Sequence, residues 1–203
     1  MQVGSIVLFA VLVTAWAFVV HVLGKAGLAF WRFLIGAVGL FLLAMAFVRP
    51  WATLPMAQGV TAIAGLVGSL THTFQAYFFY GIIYIPCGTT SITMQINMEC
   101  SGIIETMAFL SLLVFYPVYS RYEKVAVGLL GAAILLVCNA LRIVIICEIV
   151  HFFGPDAFAV AHTYIGRFFF YAITILLYFY VFTKPDVIQM RVGGLRYDGT
   201  KRA

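Results

Sequence analysis

Apolar runs of about 20 residues recur along this chain with few charges inside them. Within a bilayer no water is present to bond backbone N–H and C=O groups, so only helices and closed barrels can cross. A helix of about 20 residues matches a hydrocarbon core roughly 30 Å thick. In a chain of 203 residues, 64% hydrophobic and 9% charged, such runs predict an all-α, polytopic transmembrane helix bundle. The spans expected number about six: Ser5–Leu23, Leu28–Val48, Gln58–Tyr80, Ser101–Val118, Val125–Val150 and Thr163–Phe182. The third is the weakest, interrupted by Gly65, Gly68, Ser69, Thr71, His72 and Gln75.

No polar stretch is long enough to fold alone, so residues 1–203 are expected to form a single transmembrane domain. Residues 184–203 read as a solvated cytoplasmic tail. The start of the chain lacks a basic n-region, which argues against a cleaved signal peptide. Net charge is +5, but the basic residues sit at segment ends, where they act as topology signals. They do not suggest a nucleic-acid partner. The cysteines (Cys87, Cys100, Cys138 and Cys147) form no Cys-x-x-Cys. Neither they nor the histidines and carboxylates show metal-ligand spacing, so no metal or other cofactor is expected.

Counting Lys and Arg with both termini inside puts Arg49, Arg121, Lys124, Lys184, Arg191, Arg196, Lys201 and Arg202 on the cytoplasmic side. Lys25, Arg32, Arg142 and Arg167 then fall on the outer side or in the outer half. The first hairpin fits this poorly, since Lys25 and Arg32 lie outside. If the third segment does not span, the count drops to five and the N-terminus turns outward. Tyr84–Glu99 and His151–Ala161 are read as outer loops, the second lying on the membrane surface or folding back over the bundle.

Three reactive side chains reach one depth. Cys100 lies 21 residues before Arg121, Arg142 lies 18 after Lys124, and His162 lies 22 before Lys184. These correspond to roughly 31, 27 and 33 Å along helices. A thiol, a guanidinium and an imidazole thus meet the outer edge of the core, where polar groups are costly unless used. Cysteine is more often a small buried hydrophobe, arginine can snorkel, and an interfacial histidine can bond water. Their common depth favours a site. Cys100 is read as opening the fourth helix, where free N–H groups favour a thiolate. Glu99 is expected to point away or cap, with Ser101 beside it. Asn139 shares a helix face with Arg142. Arg142 can hold the thiolate or an oxyanion, and His162, at the start of the sixth helix, can move the proton. Glu105 is expected to bond Arg142 or Arg167. His21 is a further candidate to face the site, His151 competes with His162, and His72 is read as bonding a neighbouring helix.

Glu99-Cys100-Ser101-Gly102 at a helix start, Asn139-x-x-Arg142-Ile143 on the next helix and His162 at the start of the last resemble the exosortase/archaeosortase family. The likeness covers Ile96–Phe182, a catalytic core of about residues 96–182. It implies a multi-pass cysteine transpeptidase of the cytoplasmic membrane with its active site on the outer side. Its partners would be the C-terminal tails of secreted proteins, cut through a thioester and passed to a lipid or amine acceptor, with membrane lipid around it. By motif, Cys100 takes the nucleophile position, Arg142 the arginine position and His162 the third, for which Arg167 is a second candidate. Two other readings stay open. Cys87 and Cys100 could pair in a membrane thiol–disulfide oxidoreductase, or the broken spans and intramembrane polar groups could serve a transporter or assembly partner.

Overall fold

The computed structural model describes residues 3–88 and 90–184. The tail beyond Lys184, with Arg191, Arg196, Lys201 and Arg202, lies outside them.

The longest helix organises the others. Ser120 Oγ accepts from Glu123 N at 3.4 Å, and a Glu123 carboxylate oxygen accepts from Ser120 N at 2.8 Å. This reciprocal cap satisfies two of the open N–H groups at the helix start. The helix, α5, then runs unbroken over Arg121–Phe153, 33 residues, or about 50 Å. Gly154, at φ +85°, and Pro155 end it, because few other residues tolerate that backbone angle and proline cannot continue a helix.

The first two helices form a hairpin. α1 (Val3–Lys25) pairs with α2 (Ala29–Leu43) through Trp16, whose indole donates to Ile35 O at 3.1 Å, and just beyond α2 Phe9 meets Phe47, the ring centroids 4.1 Å apart. A π turn (Ala44–Val48) carries α2 straight into α3 (Arg49–Thr71), with Pro50 in its first turn and Pro55 inside. α4 (Ile103–Phe115) runs antiparallel to α2: Phe33 meets Tyr116, and Gly36 faces Phe115. After α5 the chain turns at Gly154–Asp156 into α6 (Ala157–Val160), a π turn (Ala161–Ile165), α7 (Gly166–Tyr178) and a second π turn (Phe179–Thr183).

Two apolar cores stack along α5. One gathers Phe109, Leu113, Leu135, Cys138, Phe170 and Val181 from α4, the first part of α5, α7 and the closing π turn. Gly131 is needed there, since a Cβ would run into the buried Phe109 ring. The other gathers Val60 and Ala64 of α3, Ile83 and Ile85, and Ile143, Ile146, Cys147 and Val150 from the last part of α5.

Several expectations change. Four helical stretches among the described residues are long and apolar enough to cross a membrane, and α2 through α3 counts as one of them, Ala29–Thr71. The expected span Gln58–Tyr80 is instead the end of α3, a short strand and a 3-10 turn (Phe78–Tyr80). The fold is mostly helical but not all-α. β1 (Gln75–Tyr77), β2 (Ile82–Cys87) and β3 (Thr90–Gln95) form an antiparallel sheet in the order β1-β2-β3, with Tyr77 opposite Ile82 and Ile83 opposite Met94. Burial alternates along β2, so Ile83, Ile85 and Cys87 face the second core. This period of two marks a half-buried strand. Gly81 and Gly88, at φ +62° and +60°, serve the turns. The segment read as a loop from His151 is the end of α5, a short turn and α6.

The first hairpin also moves. Arg32 lies close enough to Lys124 for their charges to repel, and Phe33 meets Tyr116. The Lys25–Leu28 turn therefore sits at the same end of the bundle as Arg121, Lys124 and Lys184. The π turn prevents a reversal between α2 and α3, which is why the hairpin's charges fall with the other basic ends. Two outcomes are expected. Single cysteines introduced at Ala26 and Ser120 should label from the same face of the membrane, and one at Gly88 from the other; Ala26 labelling with Gly88 would restore the earlier topology. Gly131→Ala should displace Phe109 and destabilise the bundle by about 1–3 kcal/mol, read as a lower melting temperature in detergent.

Candidate active site

The two cores meet around a tight turn, residues 97–102. Asn97 begins it: its side-chain oxygen accepts from Glu99 N at 3.0 Å and Cys100 N at 3.2 Å. Such an Asx turn is a local alternative to helix. Ser101 is fully buried, and its hydroxyl donates to Met98 O at 3.1 Å. Gly102 closes the turn at φ +71°, and a Cβ there would lie 3.3 Å from Asn139 Cγ. Thr106 then donates its N–H and hydroxyl to Gly102 O, at 3.1 and 2.9 Å. Cys100 therefore precedes α4 by a turn and does not open it. Burial stops the helix at Gly102 because only glycine fits both the angle and the contact.

Asn139 fixes the turn to α5. Its amide donates to Cys100 O at 2.6 Å. Both backbone polar groups of Cys100 are thus bonded, which leaves the side chain as the free element. Cys100 Sγ lies 3.1 Å from His162 Nε2. His162 sits inside the π turn Ala161–Ile165, five residues into a continuing helix and not at its start. A π turn re-aims side chains and is frequent at functional sites. Phe158 stacks on the imidazole, at 5.5 Å and 16°. Gly166 allows the close approach, since a Cβ there would meet Ile146 at 2.9 Å.

Arg142 is one turn along α5 from Asn139 and 4% exposed. Among the described residues its Nε has no hydrogen-bond partner, and neither does Asn139 Oδ1. The guanidinium carbon lies 5.9 Å from the Phe170 ring centre, a favourable cation–π contact. Its charge acts on both Cys100 and His162. Burial pushes the Cys100 thiol above its ordinary range, and Arg142 pulls it part of the way back. The sulfur is therefore harder to ionise than a free thiol, and an adjacent base would ease the loss of its proton.

The other expected residues divide. Glu99 is exposed, and Asn97 takes the capping role considered for it. Arg167 is exposed on α7, yet its charge reaches Cys100 and His162. Among the described residues Glu105 makes no ion pair with either arginine; its backbone carbonyl faces the Tyr178 hydroxyl at 3.5 Å. His21 is at the opposite end, beside Lys25 and Arg32. His72 caps α3 in the left-handed region at φ 57° and is exposed, bonding no neighbouring helix. His151 holds Pro86 O at 2.7 Å and is committed to the sheet. Cys87 is a free thiol directed at Val150 O, 3.4 Å away, and forms no bridge to Cys100. Asn97 and Phe158 are not among the residues expected from the sequence, and Gly102 is expected there only as part of the cysteine motif, not as the left-handed residue of the turn. Asn97 and Gly102 carried a signal, an asparagine and a glycine flanking the cysteine in a turn pattern. Phe158 carried one too: it lies four residues before His162, a spacing that makes neighbours on a helix, but the segment reads as a loop.

A family model described as transmembrane exosortase matches residues 1–179. No curated protein and no solved structure matches the chain. The chain belongs to the transmembrane exosortase family.

Alkylation of Cys100 should therefore accelerate as pH rises past the ordinary thiol range. Arg142→Gln removes the influence that lowers the thiol pKa, so it should slow alkylation at any fixed pH and move the profile to higher pH; an unchanged profile would contradict the electrostatic coupling.

Proposed function

We propose that this exosortase-family member is an intramembrane cysteine transpeptidase that cleaves C-terminal sorting signals of secreted proteins. The observation that carries the reading is the 3.1 Å approach of Cys100 Sγ to His162 Nε2 beside a buried arginine that has no carboxylate partner among the described residues. The tail of a target, an apolar helix with a short preceding motif, enters from the lipid and brings its scissile carbonyl to Cys100. His162 accepts the thiol proton as the sulfur attacks. The carbonyl oxygen becomes an anion, and Arg142 stabilises it in surroundings that hold little water. The oxyanion then collapses, the C–N bond breaks, and the imidazolium returns its proton to the leaving amine. The thioester that remains is opened by an amine, a lipid head group or water, with His162 again taking the proton. Asn139 supports the reading by holding the Cys100 carbonyl, which keeps the sulfur directed at the imidazole. Arg167 adds positive potential from α7.

On this reading the site opens on the outer side of the cytoplasmic membrane. It lies in the seam between the two cores, with Arg142 18 residues after Lys124, roughly 27 Å along α5 from the basic end, and basic residues favour the cytoplasmic side.

Cys100→Ala should abolish tail removal in cells, whereas Cys87→Ala should leave it intact; undiminished processing by the Cys100 variant would end the proposal. His162→Ala should lower the rate by about 10²–10⁴. Asn139→Ala should cost about 1–3 kcal/mol of stability, since it leaves the buried Cys100 carbonyl unbonded.

A further inference from the structure

At the other end of the bundle a cavity of about 450 Å³ opens between α1 and α2, lined by Trp16, His21, Gly24, Lys25 and Arg32 among others. The exosortase chemistry makes no use of it. Gly24 lines the cavity beside the Arg32 side chain: a Cβ there would lie 3.5 Å from Arg32 Cδ and Nε, in ordinary contact, so only a larger side chain would fill the space. Lys124 of α5 is near enough to Arg32 for the two to repel. Bringing like charges together without a counter-ion is unfavourable. Among the described residues, Glu123 is the acid at this end, and its carboxylate is committed to the backbone N–H of Ser120. His21, Lys25 and Arg32 are exposed, and their side chains are not paired with one another or with a carboxylate among the described residues. The pocket's floor is the Trp16 ring and the apolar flank of α1. A cationic mouth over an apolar floor, at the level where the basic ends meet the membrane surface, matches a phosphate ester that carries acyl chains. The apolar surface of α1 lies almost wholly outside the core.

We infer that this cavity binds the head group of an anionic phospholipid, with the phosphate between Lys25 and Arg32 and His21 alongside. The bound lipid neutralises the cluster and ties the hairpin to the bundle. This holds whether or not Cys100 is a nucleophile.

The test uses the full chain in nanodiscs of phosphatidylcholine with a minor share of phosphatidylglycerol, released and weighed by native mass spectrometry. The wild type should retain phosphatidylglycerol in preference to phosphatidylcholine. The double variant Lys25→Gln, Arg32→Gln should lose that preference by about fivefold for each charge removed. Gly24→Leu keeps every charge but fills the cavity, and should lose it as well. Arg121→Gln, at the same end but outside the cavity, should keep it. Equal retention of the two lipids by the wild type, or a Gly24→Leu variant indistinguishable from wild type, overturns the inference. Inorganic phosphate should not displace the lipid; if it does so at millimolar concentration, the pocket takes a free anion and the lipid assignment falls.

Discussion

α5 is about 50 Å long and the hydrocarbon it crosses is about 30 Å thick. Roughly 20 Å of helix must therefore be covered by protein instead of lipid. In this fold α3 and the sheet supply that cover for the last turns of α5, while α4 and α7 flank the first. The two arrangements have separate apolar cores, and the chain between them changes from strand to helix at residues 97–102. The candidate site occupies that seam. A turn can be placed there because both flanking elements are anchored, and its backbone groups find partners in Asn97 and Asn139.

The electrostatics of the seam follow from what is missing. A buried arginine is ordinarily matched by a carboxylate, since removing a charge from water is costly. Here Arg142 leans on an aromatic face and leaves Nε unbonded. A matched guanidinium would be quenched as an oxyanion partner. An unmatched one keeps its full field on the thiol and imidazole. Burial raises the Cys100 pKa and the Arg142 charge opposes it, so the sulfur is harder to ionise than a free thiol and has the His162 imidazole within hydrogen-bond reach.

Much of this was legible beforehand and some was not. Helix existence was readable because apolar runs of about 20 residues admit no other structure in lipid. The sheet was missed because Ile82–Cys87 is flanked by Gly and Thr and looks like a loop until its alternating burial is seen. The third span failed for a related reason: hydropathy averages over a window and does not register that a π turn at Ala44–Val48 keeps the chain running in one direction. The common depth of Cys100, Arg142 and His162 came from counting residues to the basic ends. That count could not tell that His162 sits within a π turn, that Asn97 holds the turn, or that Glu105 leaves the arginines unpaired.

Segment lengths and charges at segment ends are local quantities, so the sequence by itself determined that the chain is a membrane helix bundle and that three reactive residue types arrive at one level. Which helices neighbour each other, which end the first hairpin shares with Arg121 and Lys124, and that Sγ meets Nε2 are decided by packing between segments far apart in the chain. Those outcomes depend on where small residues such as Gly102, Gly131 and Gly166 let backbones and rings approach. That depends on what lies opposite each of them, which no count along one strand of residues contains.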